Sequence, residues 1–203
     1  MKRLNGAHGH QAATGLEHPA TARVVPLSAV GARAASPTGR EVTFDPEEIL
    51  VTKTDLSGHI TYANDVFLRI AGYSEAETLG QPHSFIRHPD MPRGVFKLLW
   101  DTLKEGREIF AFVVNLAKSG DHYWVLAHVT PTFDDGGRPI GYHSNRRYAE
   151  RGQIEKIRAI YDRMLAEERR HTRRPDAAAA GQRVLEQLLA EQHQTYEEFI
   201  FSL

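Results

Sequence analysis

The chain has 203 residues, with 25 lysines and arginines against 26 aspartates and glutamates, and it has no cysteine. Near-neutral charge gives no global pull toward nucleic acid or an anionic membrane. The missing cysteines remove disulfides, thiolate nucleophiles, iron–sulfur clusters and cysteine zinc sites, and they fit a reducing compartment. Lys2 and Arg3 are followed by no apolar h-region, and no apolar run approaches the ~20 residues of a membrane span. The expectation is a soluble cytoplasmic protein of one domain with appendages, or of two small domains.

Residues 1–41 are rich in Ala, Gly, Pro, Ser and His without apolar periodicity, and read as a disordered leader. Its His8, His10 and His18 are too scattered to argue for a metal. Residues 49–54 then read as a strand, 55–58 as a turn and 59–63 as the hairpin partner. Asn64 is placed to cap a short helix, 65–71, whose Val66, Phe67 and Ile70 face inward. Ser74-Glu75-Ala76-Glu77 is a capping box for another short helix, stopped by Gly80 and Pro82.

The six residues Arg87-His88-Pro89-Asp90-Met91-Pro92 precede a longer amphipathic helix. Phe96, Leu99, Trp100 and Leu103 fall on one face of it, and Gly106 ends it. Pro92 suits a first turn, where its missing N–H has no helical partner. Asp90 is the candidate N-cap, with Arg87 and His88 just outside the helix mouth. Such a mouth is either a rigid start with exposed charges or a clamp for an anionic or hydrogen-bonding ligand.

Beyond Gly106 the period changes from 3.6 to 2. Residues 109–117, 122–133 and 139–147 read as three strands joined by turns at 118–121 and 134–137. Strands segregated from helices predict an α+β domain with a largely antiparallel sheet. On the first of these strands Ile109, Ala111, Val113 and Asn115 share one face, and Phe110, Phe112, Val114 and Leu116 share the other. Two apolar faces require cover on both sides of the sheet. The helical core supplies one cover; the chain's own terminal segments or a second subunit must supply the other.

These motifs together resemble a known family. Thr54-Asp55-Leu56-Ser57-Gly58-His59-Ile60-Thr61-Tyr62-Ala63-Asn64, Gly72-Tyr73-Ser74 and Gly80-Gln81-Pro82-His83 resemble the opening of a PAS sensory domain. Adding the hexapeptide, Leu99-Trp100-Asp101-Thr102-Leu103, Asn115, Gly120-Asp121-His122-Tyr123-Trp124-Val125 and Val129-Thr130-Pro131 narrows this to the flavin-binding PAS domain of bacterial aerotaxis receptors. The resemblance covers about residues 44–148, within a PAS domain bounded at 42–148. It implies a five-stranded antiparallel sheet enclosing a ligand pocket, with flavin adenine dinucleotide (FAD) as cofactor. It also implies cofactor-binding roles for Arg87, His88 and Asp90, and a pocket role for Asn115; Asn64, Trp100 and Trp124 complete the candidate set. Where aerotaxis receptors carry a ring-holding tryptophan six residues before the matching Asn, this chain has Ile109, and Trp100 or Trp124 are its candidate substitutes.

Other chemistries find less support. His122, His128 and His143 lie on strands without a carboxylate at ligand spacing. Haem is the stronger rival, through His83 or His88. The tripeptide His88-Pro89-Asp90 also occurs in J-domain cochaperones, but there it joins two long basic helices. No Ser/His/Asp arrangement, phosphate-cradling loop or carboxylate pair argues for an enzyme.

From Glu150 the composition turns helical, and residues 149–203 form an extension that either packs on its own PAS domain or serves dimerisation or partner docking. One stripe holds Ile154, Ile157, Ile160, Tyr161, Met164 and Leu165; a basic break follows at 169–175. A second stripe holds Val184, Leu185, Leu188 and Leu189, and Thr195-Tyr196-Glu197-Glu198 is a capping box before Phe199. With no membrane anchor, coiled coil, kinase or cyclase segment in the chain, output is expected to pass to another protein. The resemblance therefore implies a redox- or oxygen-sensing flavoprotein in signal transduction. Its expected state is a homodimer through the outer sheet face, with a chemotaxis-type or other signalling partner. The competing reading is a cofactor-free PAS adaptor.

Overall fold

The computed structural model describes residues 36–203. The first 35 residues of the expected leader, with His8, His10 and His18, lie outside them. Five strands form one antiparallel sheet in the order β2-β1-β5-β4-β3: β1 Leu50–Thr54, β2 Ile60–Ala63, β3 Ile109–Leu116, β4 His122–Phe133 and β5 Pro139–Tyr148. Between β2 and β3 run α1 (Asp65–Ala71), α2 (Glu75–Thr78), a 3-10 turn (His83–Ile86) and α3 (Arg93–Lys104). After β5 come α4 (Arg151–Glu168), α5 (Arg174–Glu191) and α6 (Tyr196–Ser202). The α+β expectation, with its five-stranded antiparallel sheet and C-terminal helices, holds.

Local chemistry explains the short helices. The Asn64 Oδ1 accepts the backbone N–H of Phe67 at 3.0 Å and of Val51 at 2.9 Å, while its amide donates to the Ile49 carbonyl at 2.8 Å. One side chain thus starts α1 and ties it to β1. Ser74 and Glu77 close the predicted capping box of α2.

Register fixes which side chains face inward. Ile109, Ala111, Val113 and Asn115 on β3 pair with Val129, Ala127, Val125 and Tyr123 on β4. Tyr142, Ser144 and Arg146 on β5 pair with Thr54, Thr52 and Leu50 on β1. These residues make the concave face, under α3 and the 3-10 turn. The opposite face of β3 is covered by this chain's own helices. Tyr161 of α4 stacks on Trp124 and donates its hydroxyl to the Phe112 carbonyl at 2.6 Å. Tyr196 of α6 donates to the Phe110 carbonyl at 2.9 Å, and Phe201 packs edge-on against Phe110. Of the two covers foreseen for that face, the terminal segments supply it. A homodimer through the same face would have to displace α4 and α6.

Two local expectations are corrected. The expected leader does not run to residue 41: residues 36–42 lie along the β3–β4 turn, where Thr38 N–H reaches the Gly120 carbonyl at 2.9 Å and Arg40 pairs with Asp121 at 3.1 Å. Nor is Asp90 the N-cap of α3. The helix begins at Arg93 behind Pro92, and the Asp90 side chain is exposed. Its place is taken by a residue from far along the chain: the Glu168 carboxylate accepts the N–H groups of Arg93 at 3.0 Å and Gly94 at 2.8 Å. The remote cap also offsets the helix dipole.

Candidate functional site

Between the concave face, α3 and the 3-10 turn lies a cavity of about 380 Å³, within the range of small-molecule sites. Its apolar wall is Phe96, Leu99, Trp100 and Leu103 of α3 against Val113, Ala127 and Val129 of the sheet. Trp100 meets Tyr142 edge to face, with centroids 5.2 Å apart. It also lies over Gly58, whose φ of +81° and bare Cα let the β1–β2 turn approach the indole.

The polar wall includes Thr52, His83, Arg87, Asn115, Ser144 and Arg146. Four of them carry buried atoms with no hydrogen-bond partner among the described residues: Arg87 Nε, Asn115 Nδ2, Ser144 Oγ and Arg146 Nη1. Buried polar atoms are ordinarily satisfied, so four orphans around one cavity mark a place for a ligand's polar groups. The cavity lining includes no aspartate or glutamate. Burial pulls Arg87 down to about 10, with Arg93 acting the same way and Glu168 opposing; burial brings Arg146 to about 10 as well. Both guanidiniums stay charged at neutral pH, so the cavity favours an apolar body carrying electron-rich oxygens.

The geometry divides the candidate residues. Arg87, Asn115 and Trp100 line the cavity together. The first two are joined by a backbone bridge, and the Arg87 guanidinium lies 3.5 Å over the Phe96 ring. His88, Asp90, Asn64 and Trp124 do not line it. Asn64 is consumed by its capping bonds. Trp124 projects to the outer face because its neighbour Tyr123 pairs with Asn115 on the inner one, so of the two tryptophans only Trp100 can stand in for an aromatic wall. Ile109 packs behind that wall, against Leu99 and Leu103. His88 is buried and faces a separate open cavity of about 570 Å³ beside Met91 and Glu168. Its Nδ1 accepts the Asp90 N–H at 3.2 Å, a local bond that stiffens the hexapeptide.

The remaining histidines are dispersed. His128 pairs with Glu108 at 2.7 Å, His143 meets Asn145 at 3.0 Å, and His122 lies edge-on to His88 at 5.7 Å. Among the described residues no three His, Cys, Asp or Glu side chains gather as a metal-binding group. His83, a haem candidate, turns its Nε2 to Arg146 and to Thr52 Oγ1. Burial, then Arg146, pushes its pKa well below the usual histidine value.

Sequence reasoning overlooked Thr52, Tyr142, Ser144 and Arg146. The available signal was parity: Tyr142, Ser144 and Arg146 share one face of β5, opposite His143 and Asn145.

Residues 60–146 match the PAS fold family. Over 129 residues the chain is 42% identical to the aerotaxis receptor of Escherichia coli (strain K12), covering 64% of this chain and 25% of the receptor. Over 124 residues it is 29% identical to the nitrogen fixation regulatory protein of Klebsiella pneumoniae, covering 61% of this chain and 25% of that protein. The matched region is thus a quarter of the length of each relative. Among solved structures, the dark state of the blue-light photoreceptor Aureochrome1 LOV aligns with a TM-score of 0.48 at 24% identity, covering 52% of this chain and 79% of that one. Among the described residues no helix is long and apolar enough to cross a membrane.

Proposed function

We propose, because this chain carries a PAS domain of the aerotaxis-receptor type, that it is a redox or oxygen sensor that binds flavin in the cavity under α3 and relays the flavin's state to a signalling partner. FAD is the form expected from the receptor resemblance. The observation that carries this reading is the set of unpaired atoms on Arg87, Asn115, Ser144 and Arg146 around one apolar cavity. A flavin ring has a planar apolar body and an edge of alternating carbonyl and N–H groups. The Asn115 amide supplies a donor and an acceptor to such an edge, and the two arginines supply donors to its oxygens. Trp100 and Phe96, both on α3, would wall the ring from one side. A bound flavin brings reversible electron uptake to this site.

The same residues offer a route outward. Arg87 is joined through the backbone to Asn115, and its charge is influenced by Glu168 at the end of α4. A change at the Asn115 edge that shifts Arg87 would bias the α3–Glu168 contact, and with it the C-terminal helices that would engage a partner. A chemotaxis-type partner is one candidate. On this reading the chain is a sensor and not an enzyme.

The test is the visible spectrum of the freshly purified chain, before and after incubation with FAD, FMN or riboflavin. Flavin absorption that comes through gel filtration with the protein supports the proposal. A Soret band would replace flavin with haem. A chain that stays colourless after every reconstitution leaves the adaptor reading, in which the helices act through protein contacts alone.

A further inference from the structure

Arg146 is 3% exposed, yet among the described residues no carboxylate lies within ion-pair distance of it. Its Nη2 donates to Thr52 Oγ1 at 2.7 Å and to His83 Nε2, while the Phe67 ring centroid lies 5.5 Å from its Cζ. Both hydrogen-bond acceptors are uncharged. Arg146 lines the cavity, and its buried Nη1 has no partner among the described residues. A buried charge held by neutral groups is an expensive way to join β1 to β5, and a neutral side chain of similar length would do that better. A negatively charged group in the cavity would supply the compensation that these neutral partners do not.

We infer that Arg146 is the anion anchor of the ligand site, aimed by Thr52 and His83 so that Nη1 meets a ligand oxygen that carries or gains negative charge. This rests on the flavin reading and deepens it. A flavin ring that takes two electrons and one proton from an external reductant is left with one net negative charge. A fixed guanidinium on the ring's oxygen-bearing edge binds that reduced form more tightly than the neutral oxidised one. Arg146 therefore sets the potential at which this sensor switches. Thr52 and His83 are positioning residues, acting through the guanidinium.

The experiment compares the full chain with Arg146→Met, Arg146→Lys and Thr52→Val, each loaded with FAD and titrated with dithionite against a reference dye. The preference for reduced over oxidised flavin should fall at least tenfold in Arg146→Met, equivalent to a potential lowered by about 30 mV for a two-electron couple. Arg146→Lys should recover part of that loss, and Thr52→Val should fall between wild type and Arg146→Met. Flavin-free protein gives a second readout: Arg146→Met should unfold at higher urea than wild type, since it removes an uncompensated buried charge. Equal potentials in loaded wild type and loaded Arg146→Met overturn the inference while leaving the flavin reading intact. A flavin-free Arg146→Met that is less stable than wild type also overturns it, because the arginine would then be holding the fold. If wild type takes up no flavin, the flavin reading fails, and the urea comparison alone decides whether Arg146 awaits some other anionic ligand.

Discussion

Glu168, the last residue of α4, caps Gly94, the second residue of α3, from 74 positions away, accepting its N–H at 2.8 Å. The second carboxylate oxygen takes the Arg93 N–H at 3.0 Å. The helix that walls the ligand cavity is therefore started by the helix that covers the far side of the sheet. Glu168→Ala strips two N–H groups of their acceptor and removes a charge from the positive end of the dipole, which costs about 2 kcal/mol. Glu168→Gln keeps one acceptor oxygen and should cost about 1 kcal/mol. Urea unfolding midpoints of both variants check the order; an unchanged Glu168→Ala midpoint would refute the capping role.

The crossing of α3 and α5 depends on two glycines. A Cβ added to Gly94 would lie 2.4 Å from the Gln182 backbone nitrogen, and one on Gly181 would lie 2.2 Å from Glu168 Oε1. Both are helical positions where alanine is otherwise favoured. Gly94→Ala must push backbone against backbone and should destabilise by about 2–3 kcal/mol. Gly181→Ala meets a side chain that can swing aside, at the loss of the α3 cap, so its cost should resemble that of Glu168→Ala. Combining Gly181→Ala with Glu168→Ala should then add little, and a double-mutant cycle measures this.

How far these features were legible in the sequence follows from the range of the forces involved. The capping boxes at Ser74 and Thr195 and the cap at Asn64 are local, and each stands in the structure. The two apolar faces of β3 announced a sheet covered on both sides. Asp90 failed as a cap because its replacement comes from 78 positions downstream. The polar wall was hidden for another reason. In an antiparallel sheet the face bearing Thr52, Ser144 and Arg146 reads as the solvent side, and a ligand cavity inverts that rule. Trp124 required the β3–β4 register, which fixes it opposite Val114 and away from the cavity.

The histidines make stability depend on pH in a defined window. Burial, then Arg146, holds His83 well below 6.5; burial also lowers His88, with Asp90 partly opposing. Just below pH 6.5 the unfolded chain binds protons that the folded chain refuses, so stability falls as pH drops through that value toward the folded pKa values. Above the unfolded value the full contribution is present. The depressed carboxylates, such as Asp121, act only at lower pH. Urea midpoints between about pH 7.5 and about pH 5.5 should therefore decline, and His83→Gln should flatten the slope. A slope unaffected by that change would mean that His83 is not titrating across the fold.

Asn115 provides a site variant whose effect on the empty protein differs from its effect on the loaded one. Its Nδ2 is buried without a partner, so Asn115→Leu should leave the flavin-free chain as stable as wild type or slightly more so. Flavin retention should drop by about tenfold or more, because a buried donor–acceptor pair is lost to the ring edge. Flavin carried through gel filtration, measured beside a urea curve, separates the two effects. A variant that unfolds early and loses flavin in proportion would place Asn115 in the scaffold.

The seal on the outer face rests on two tyrosine hydroxyls, each donating to a carbonyl of edge strand β3: Tyr161 to Phe112 and Tyr196 to Phe110. An edge strand left open is a template for pairing with another chain, so α4 and α6 guard it as well as covering Phe110 and Phe112. Burial raises the pKa of both phenols, which keeps them protonated as donors. Tyr161→Phe and Tyr196→Phe should each cost about 1 kcal/mol by leaving a carbonyl short of one donor. The two bonds come from different helices, so the double variant should lose about the sum. It should also self-associate as concentration rises, once α6 detaches and bares Phe110 beside the strand edge. Sedimentation at several concentrations reads that directly: a double variant that stays monomeric while losing stability would show that the tyrosines anchor the helices without guarding the edge.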